Sequence, residues 1–379
     1  MPENLDIWLR KAAEKVDSGI IDEARERMGA AWNFKPVDQP PLIVSCPSPE
    51  PWPTFKYSET FYDRDKMLLS QLAGIYSHCL LRDGAMPCVR ANYGVGIIPS
   101  GFGSETIVQR EVDNMPWVKG PILSRDPPSV DDLKDPDPYK DGLMKETLET
   151  EEYFVKKLDG TGIRVYLCDT QGPLDIAYLL RGPKLLTDFY RHPDFVRDLL
   201  QRVSDVYVEF SELQKRLIGE PYDQGVHGAP NVWMDRGGAR ICEDVAVMLS
   251  PKIYRAFCRP FNEACLKPFG GGMGHFCCSL SSDGKHILDE ILDNPCIKAF
   301  VFGGPAKFYD FGKTVAHFQE KHVCLIWSDG PAQNQTVEEW VENVARGLNE
   351  KTGVIFSISA ESFEKAQKLI ACFNKRFSK

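Results

Sequence analysis

Apolar residues from Leu5 to Trp32 recur at helical spacing without an internal proline, and predict a helical opening segment. The run Lys35-Pro36-Val37-Asp38-Gln39-Pro40-Pro41 ends it. Beyond that break the pattern changes. Short apolar or β-branched runs, each closed by turn residues, predict strands at Leu42–Cys46, Cys88–Gly96, Arg164–Asp169, Gly225–Trp233, Gly272–Ser279, Ile297–Phe302, Val323–Ser328 and Gly353–Ser359. Between and after them, helical periods run over Lys66–Arg82, Leu143–Leu158, Pro183–Ile218, Pro251–Phe269, Lys285–Leu292, Ala306–Glu320, Val337–Glu350 and Glu361–Phe377. Eight β-then-α units predict the α/β class and a single (β/α)8 TIM barrel, residues 35–379, behind an N-terminal helical extension, residues 1–34. An open doubly wound sheet is the alternative, but no glycine-rich phosphate fingerprint follows the first strand. The Pro- and Asp-rich stretch Arg125–Gly142 reads as a surface excursion, either a solvated loop or a lid.

Composition narrows the class. At 379 residues with 43% hydrophobic positions the chain can bury a core without metal or disulfide staples, and barrels of this length form one unit. The net charge of −9 argues against a nucleic-acid partner, which requires clustered Lys and Arg. The charged N-terminus lacks a secretory apolar core, and no apolar run reaches the ~18 residues of a membrane helix. A cytoplasmic protein is expected, its twelve cysteines reduced and mostly small core residues.

Barrel enzymes place reactive groups at the C-terminal ends of strands, which selects the candidates. Strand one ends at Ser45-Cys46, strand two near Asn92, and strand three at Asp169 and Gln171. The fourth carries His227 and Trp233 and leads to Asp235, Glu243 and Asp244. Asp169, Asp235 and Asp244 are candidate acid–base groups, although Glu243 or Asp244 could equally flank a helix start. Asn92, Gln171 and His227 are candidate substrate contacts, with His227 alternatively a satisfied core or loop residue. Trp233 and Trp327 could wall an apolar pocket or pack the barrel rim. In Gly274-His275-Phe276-Cys277-Cys278, alternation puts His275 and Cys277 on one face. Imidazole and thiolate at that spacing suit zinc, with Asp329 or Glu361 available as carboxylate ligands.

Several segments, taken in order, resemble the uroporphyrinogen decarboxylase superfamily. They are Val37-Asp38-Gln39-Pro40-Pro41, Gln171-Gly172-Pro173-Leu174, His192-Pro193, Leu249-Ser250-Pro251 with Tyr254, Phe257 and Pro260, and Gly274-His275-Phe276-Cys277. The resemblance implies a (β/α)8 barrel among tetrapyrrole decarboxylases and corrinoid-linked methyltransferases. In its zinc-dependent thiol methyltransferases a His-x-Cys on this strand is joined by a later Cys near the last strand. Here that region reads Phe356-Ser357-Ile358-Ser359-Ala360-Glu361, without a Cys. The decarboxylase branch carries arginines after strand one to hold a polycarboxylate. Ser45-Cys46-Pro47-Ser48-Pro49-Glu50-Pro51-Trp52-Pro53 has none, and Arg90, Arg110, Arg236 and Arg240 are scattered along the chain.

Three functions follow as expectations. The first is a methyltransferase in which zinc on His275 and Cys277 activates an acceptor thiol. By resemblance alone, a corrinoid protein would be its partner and methyl donor. The second is a decarboxylase of a tetrapyrrole or smaller acid. The third is a non-catalytic barrel that binds a corrinoid or tetrapyrrole. All three imply a small-molecule ligand and neither nucleic acid nor membrane.

Overall fold

The computed structural model describes residues 4–276, 284–304, 307–349 and 353–377. The opening periodicity forms two helices, α1 (Leu5–Ala13) and α2 (Ser18–Trp32). Asp17 divides them: its carboxylate accepts the N–H groups of Gly19 and Ile20 and caps α2.

Twelve strands follow among the described residues: β1 (Leu42–Ser45), β2 (Cys88–Val89), β3 (Thr106–Ile107), β4 (Trp117–Val118), β5 (Arg164–Val165), β6 (Gly225–His227), β7 (Val232–Met234), β8 (Ala239–Cys242), β9 (Gly272–Phe276), β10 (Ile297–Phe302), β11 (Cys324–Trp327) and β12 (Val354–Ser359). Six form a parallel sheet in the order β1-β12-β11-β10-β9-β8, and β2 and β5 form a separate parallel pair. The architecture is thus α/β with eight parallel strands in two hydrogen-bonded sheets. A single closed eight-stranded ladder, as the pattern predicts, is not formed among the described residues.

Seven of the predicted runs contain one of these parallel strands, and Gly225–Trp233 does not. It folds back on itself as the antiparallel hairpin β6–β7, pairing Gly225 with Met234 and His227 with Val232. The turn Gly228-Ala229-Pro230-Asn231 reverses the chain. Pro230 contributes no N–H, Asn231 adopts a left-handed φ of 63°, and the Ala229 N–H donates to His227 Nδ1 at 3.2 Å. The fourth parallel strand in sequence order is Ala239–Cys242, a segment the pattern left unassigned. Among the helices, the predicted Pro183–Ile218 divides at His192-Pro193 into Lys184–Arg191 and Pro193–Ile218, because proline starts a helix but cannot continue one.

Strand alternation sorts the core into two clusters. Leu42, Val44, Leu325, Trp327, Val354 and Phe356 pack toward the helices. Ile43, Cys88, Tyr166, Met273, Ala299, Cys324, Ile326 and Ile355 share an inner cluster with Val226, Val232, Trp233 and Met234 of the hairpin. Ala24, Met28, Ala31 and Trp32 of α2 join that inner cluster and cover the hairpin from outside. The hairpin base is anchored by a buried ion pair. Lys215 Nζ donates to Glu220 at 2.9 Å and to the Gln224 carbonyl at 2.8 Å, while Glu220 accepts the Val226 N–H at 3.0 Å. All described cysteines are free thiols, and no described helix is long and apolar enough to cross a membrane.

Candidate functional site

The same alternation shows which polar groups meet inside. Cys88 and Met273 face the inner cluster, so Arg90 and His275, two residues further on, lie on the same side. Ala239 and Ile241 face the helices, which turns Arg240 and Cys242 inward. Arg240 and Arg90 converge on Asp169. Arg240 donates to Asp169 Oδ1 at 2.5 Å and to His275 Nδ1 at 2.7 Å. The Arg90 guanidinium lies 3.6 Å from Asp169 Oδ2 and donates to Asn92 Oδ1 at 3.2 Å. Gln171, held at a left-handed φ of 62°, donates to Asp169 at 2.6 Å. His227 lies against the Tyr166 ring, 5.1 Å between centroids.

The electrostatics of this cluster are unequal. Burial alone would raise the Asp169 pKa, but Arg240 and Arg90 more than offset it and pull the carboxyl down to about 2. His227 is pushed well below the usual imidazole range by burial and then by Arg240, Arg90 and His275. Among the described residues both guanidiniums face the Asp169 carboxylate, and His227 adds a neutral imidazole rather than a further cation. Guanidinium groups at strand ends suit an anionic ligand.

A second group adjoins the first. Cys242 is the register partner of His275 on the neighbouring strand. The ligand atoms of Asp175, Cys242 and Asp244 lie within 4.8 Å of one another. Asp175 accepts the N–H groups of Asp244 and Val245, each at 3.0 Å, and so caps the short 3-10 turn Asp244–Met248. That cap is a role the pattern offered to Glu243 or Asp244. Glu243 instead points into the helix layer, where it accepts from Tyr254 at 2.7 Å and from Asn262. Burial lifts its pKa to about 7.

The other sequence candidates lie apart from Asp169. Asp235 follows β7 at the hairpin's far end, accepting from Asn33 of the α2 C-cap at 2.7 Å and from Trp233 Nε1 at 3.3 Å. Trp233 stacks under Arg25 of α2, 4.2 Å from the ring centroid, so it belongs to the hairpin's packing and not to a mouth pocket. Trp327 packs on Phe311 in the helix-facing layer and shares an outer pocket with Asp329. Glu361 is exposed and paired with Lys365. Cys277 lies outside the described residues.

Of the four candidate zinc ligands, the three described ones therefore do not assemble. A metal on His275 Nε2 would also ask Nδ1 to donate a hydrogen bond, whereas Nδ1 here accepts one from Arg240. The expected pair is His275 with Cys277, and because Cys277 lies outside the described residues no chemical step is assigned to zinc. The groups that sequence reasoning did not select are Arg90, Arg240, Tyr166, Asp175 and Cys242. The one signal available was Ala239–Cys242. Read as a strand, it places Arg240 and Cys242 on one face.

Among solved structures, the fold is similar to that of a methyltransferase from Methanosarcina mazei. The two chains share 15% identity with a TM-score of 0.63, over 93% of this chain and 99% of the other. A likeness at that identity concerns the fold. No protein-family signature matches the chain, and no curated protein matches its sequence.

Proposed function

We propose that this protein is a methyltransferase whose two sheets close into a barrel and whose mouth binds a small anionic substrate against Arg90 and Arg240. The observation that carries this reading is the buried Arg90–Asp169–Arg240 cluster, with two guanidiniums on one carboxylate at the ends of strands. The whole-length fold likeness to a methyltransferase supports the reaction class. In this reading Asp169 is a positioning residue: ionised throughout the physiological range, it fixes the planes of both guanidiniums. Arg240 also holds His275 in one orientation, so the substrate anion meets a preformed set of donors. The methyl group passes from its donor to a nucleophilic atom of the bound anion. The resemblance in sequence points to a methylated corrinoid as that donor. The decarboxylase alternative would use Asp169 or Asp235 to stabilise a protonated pyrrole; both Asp169 oxygens already face guanidiniums, and Asp235 accepts from Asn33 and Trp233 at the hairpin's far end.

The test has two parts. In thermal-shift titrations, small carboxylates, sulfonates and phosphates should raise the Tm and uncharged isosteres should not. A ligand at 100 times its Kd contributes about 2.7 kcal/mol. Arg240→Met should abolish the shift. Anionic thiols that stabilise the protein are then incubated with methylcobalamin and assayed by mass spectrometry for the methyl thioether. Equal stabilisation by neutral isosteres would remove the anion site, and no enzyme-dependent methylation across the panel would remove the methyltransferase reading.

A further inference from the structure

On the other side of the hairpin tip lies a second constellation that the cluster around Asp169 does not use. Ser45 is two residues beyond Ile43, an inner-cluster residue, so its hydroxyl faces the interior at the end of β1. His78, on helix Arg64–Leu81, enters from the helix layer. Its Nε2 lies 3.5 Å from Ser45 Oγ and 3.4 Å from Asn231 Nδ2. Its Nδ1 is 2.7 Å from Asp83, whose side chain is wholly buried. Asp83 also accepts the N–H groups of Val44 at 2.8 Å and Ala85 at 3.0 Å, and these fix its plane.

We infer that Ser45, His78 and Asp83 form a nucleophile, base and orienting carboxylate that cleave an ester or thioester of a small acyl group inside the barrel. The hydrogen-bond network assigns the tautomer. Asp83 accepts two backbone N–H groups and lies 2.7 Å from Nδ1, so Nδ1 carries a proton, and in the neutral imidazole the Nε2 lone pair faces Ser45 and the Asn231 amide. That is the protonation state a base needs in order to take the hydroxyl proton. Burial works against protonation of His78, but Asp83 more than offsets it, and the imidazole pKa stands above its ordinary value. The neighbouring thiol does not compete. Cys46 packs toward the helix layer, and burial, followed by Asp83 and Glu364, pushes its pKa up to about 11. Asn231, held at a left-handed φ on the hairpin tip, supplies an amide N–H beside the reacting atoms.

In the reaction, Ser45 Oγ bonds to the acyl carbon and its proton passes to His78 Nε2. The C–O or C–S bond to the leaving group breaks, and the leaving atom takes that proton. Water, deprotonated by His78, then attacks the acyl-Ser45 ester, releases the carboxylic acid and restores the hydroxyl. The Asn231 amide is the donor available to the oxyanion in both steps.

The test treats the full-length protein with a fluorophosphonate, in which Ser45 Oγ displaces fluoride from phosphorus, and maps the adduct by peptide mass spectrometry. The expected result is a phosphonyl group on Ser45 that is absent in Ser45→Ala. Labelling should rise with pH in the wild type as His78 loses its proton. It should be slower by about 100-fold or more in His78→Gln, the usual size of a general-base contribution. No adduct on Ser45, adducts only elsewhere, a flat wild-type pH profile, or an unchanged rate in folded His78→Gln would each overturn the proposal. The wild-type readouts stand even where His78→Gln does not fold. None of them involves methyl transfer, so this proposal and the methyltransferase reading fail independently.

Discussion

Asp169 carries the largest electrostatic consequence of any single residue in the cluster. Replacing it with Asn keeps the shape but leaves two buried guanidiniums without their shared counter-charge. Asp169→Asn should cost about 3–5 kcal/mol, the usual penalty for breaking a buried pair, measured by urea unfolding at pH 7. The same residue predicts an acid limb. Its carboxyl is depressed to about 2 in the folded state, so its contribution is fully present above the unfolded carboxylate pKa of about 4. It is lost as pH falls from there through 2 and amounts to on the order of 2–3 kcal/mol. Unfolding free energies at pH 7, 4 and 2.5 should show that loss in the wild type and a shallower one in Asp169→Asn. Equal slopes would mean that other groups set the acid limb.

The hairpin β6–β7 is the element on which both candidate sites depend, because His227 and Asn231 flank its tip. A Cβ on Gly228 would stand 2.5 Å from the Tyr166 ring, too close for any real contact. Gly228→Ala must therefore move the tip or the ring, and should cost about 1–3 kcal/mol as overpacking. Thermal denaturation measures the cost, and the shift in His227 imidazole resonances reports the displacement. An unchanged Tm would show that the tip yields freely. The hairpin base rests on Lys215 and Glu220, whose side chains are 0% and 1% exposed. Lys215→Met leaves the buried Glu220 carboxylate facing the Arg164 guanidinium at 3.8 Å without its closer partner, and should cost about 3–5 kcal/mol in chemical denaturation. A loss below about 1 kcal/mol would place the anchor elsewhere.

Across the whole molecule, helix α2 closes the inner core rather than decorating a finished barrel. Trp32 is fully buried, and Met28 Sδ accepts the Trp233 N–H at 3.1 Å. We propose residues 1–34 as an extension in sequence that is integral to the fold. Trp32→Ala should lose about 3–5 kcal/mol, in the range of large core truncations. A chain beginning at residue 35 should bind a hydrophobic dye and be cut rapidly by protease. A truncated chain with wild-type protease resistance would show that the barrel core is complete without α2.

The chain's own pattern determined seven of the eight parallel strands and, through period-two alternation, that His275 and Cys277 share a face. Those features follow from local sterics and from which face of a strand is apolar, so a single segment suffices to read them. Only the tertiary structure decided between Gly225–Trp233 and Ala239–Cys242 as the fourth parallel strand. Both are short apolar runs between turns, and what separates them is the partner available: a returning arm of the same hairpin for one, β9 for the other. That choice moved Asp235 away to α2 and brought Arg240 to Asp169 and His275. It also lies behind the convergence of residues 90, 169, 227, 240 and 275. Such contacts join residues far apart in the chain, and they form only because burying both faces of the parallel strands stabilises the fold enough to offset the cost of closing the loops between them.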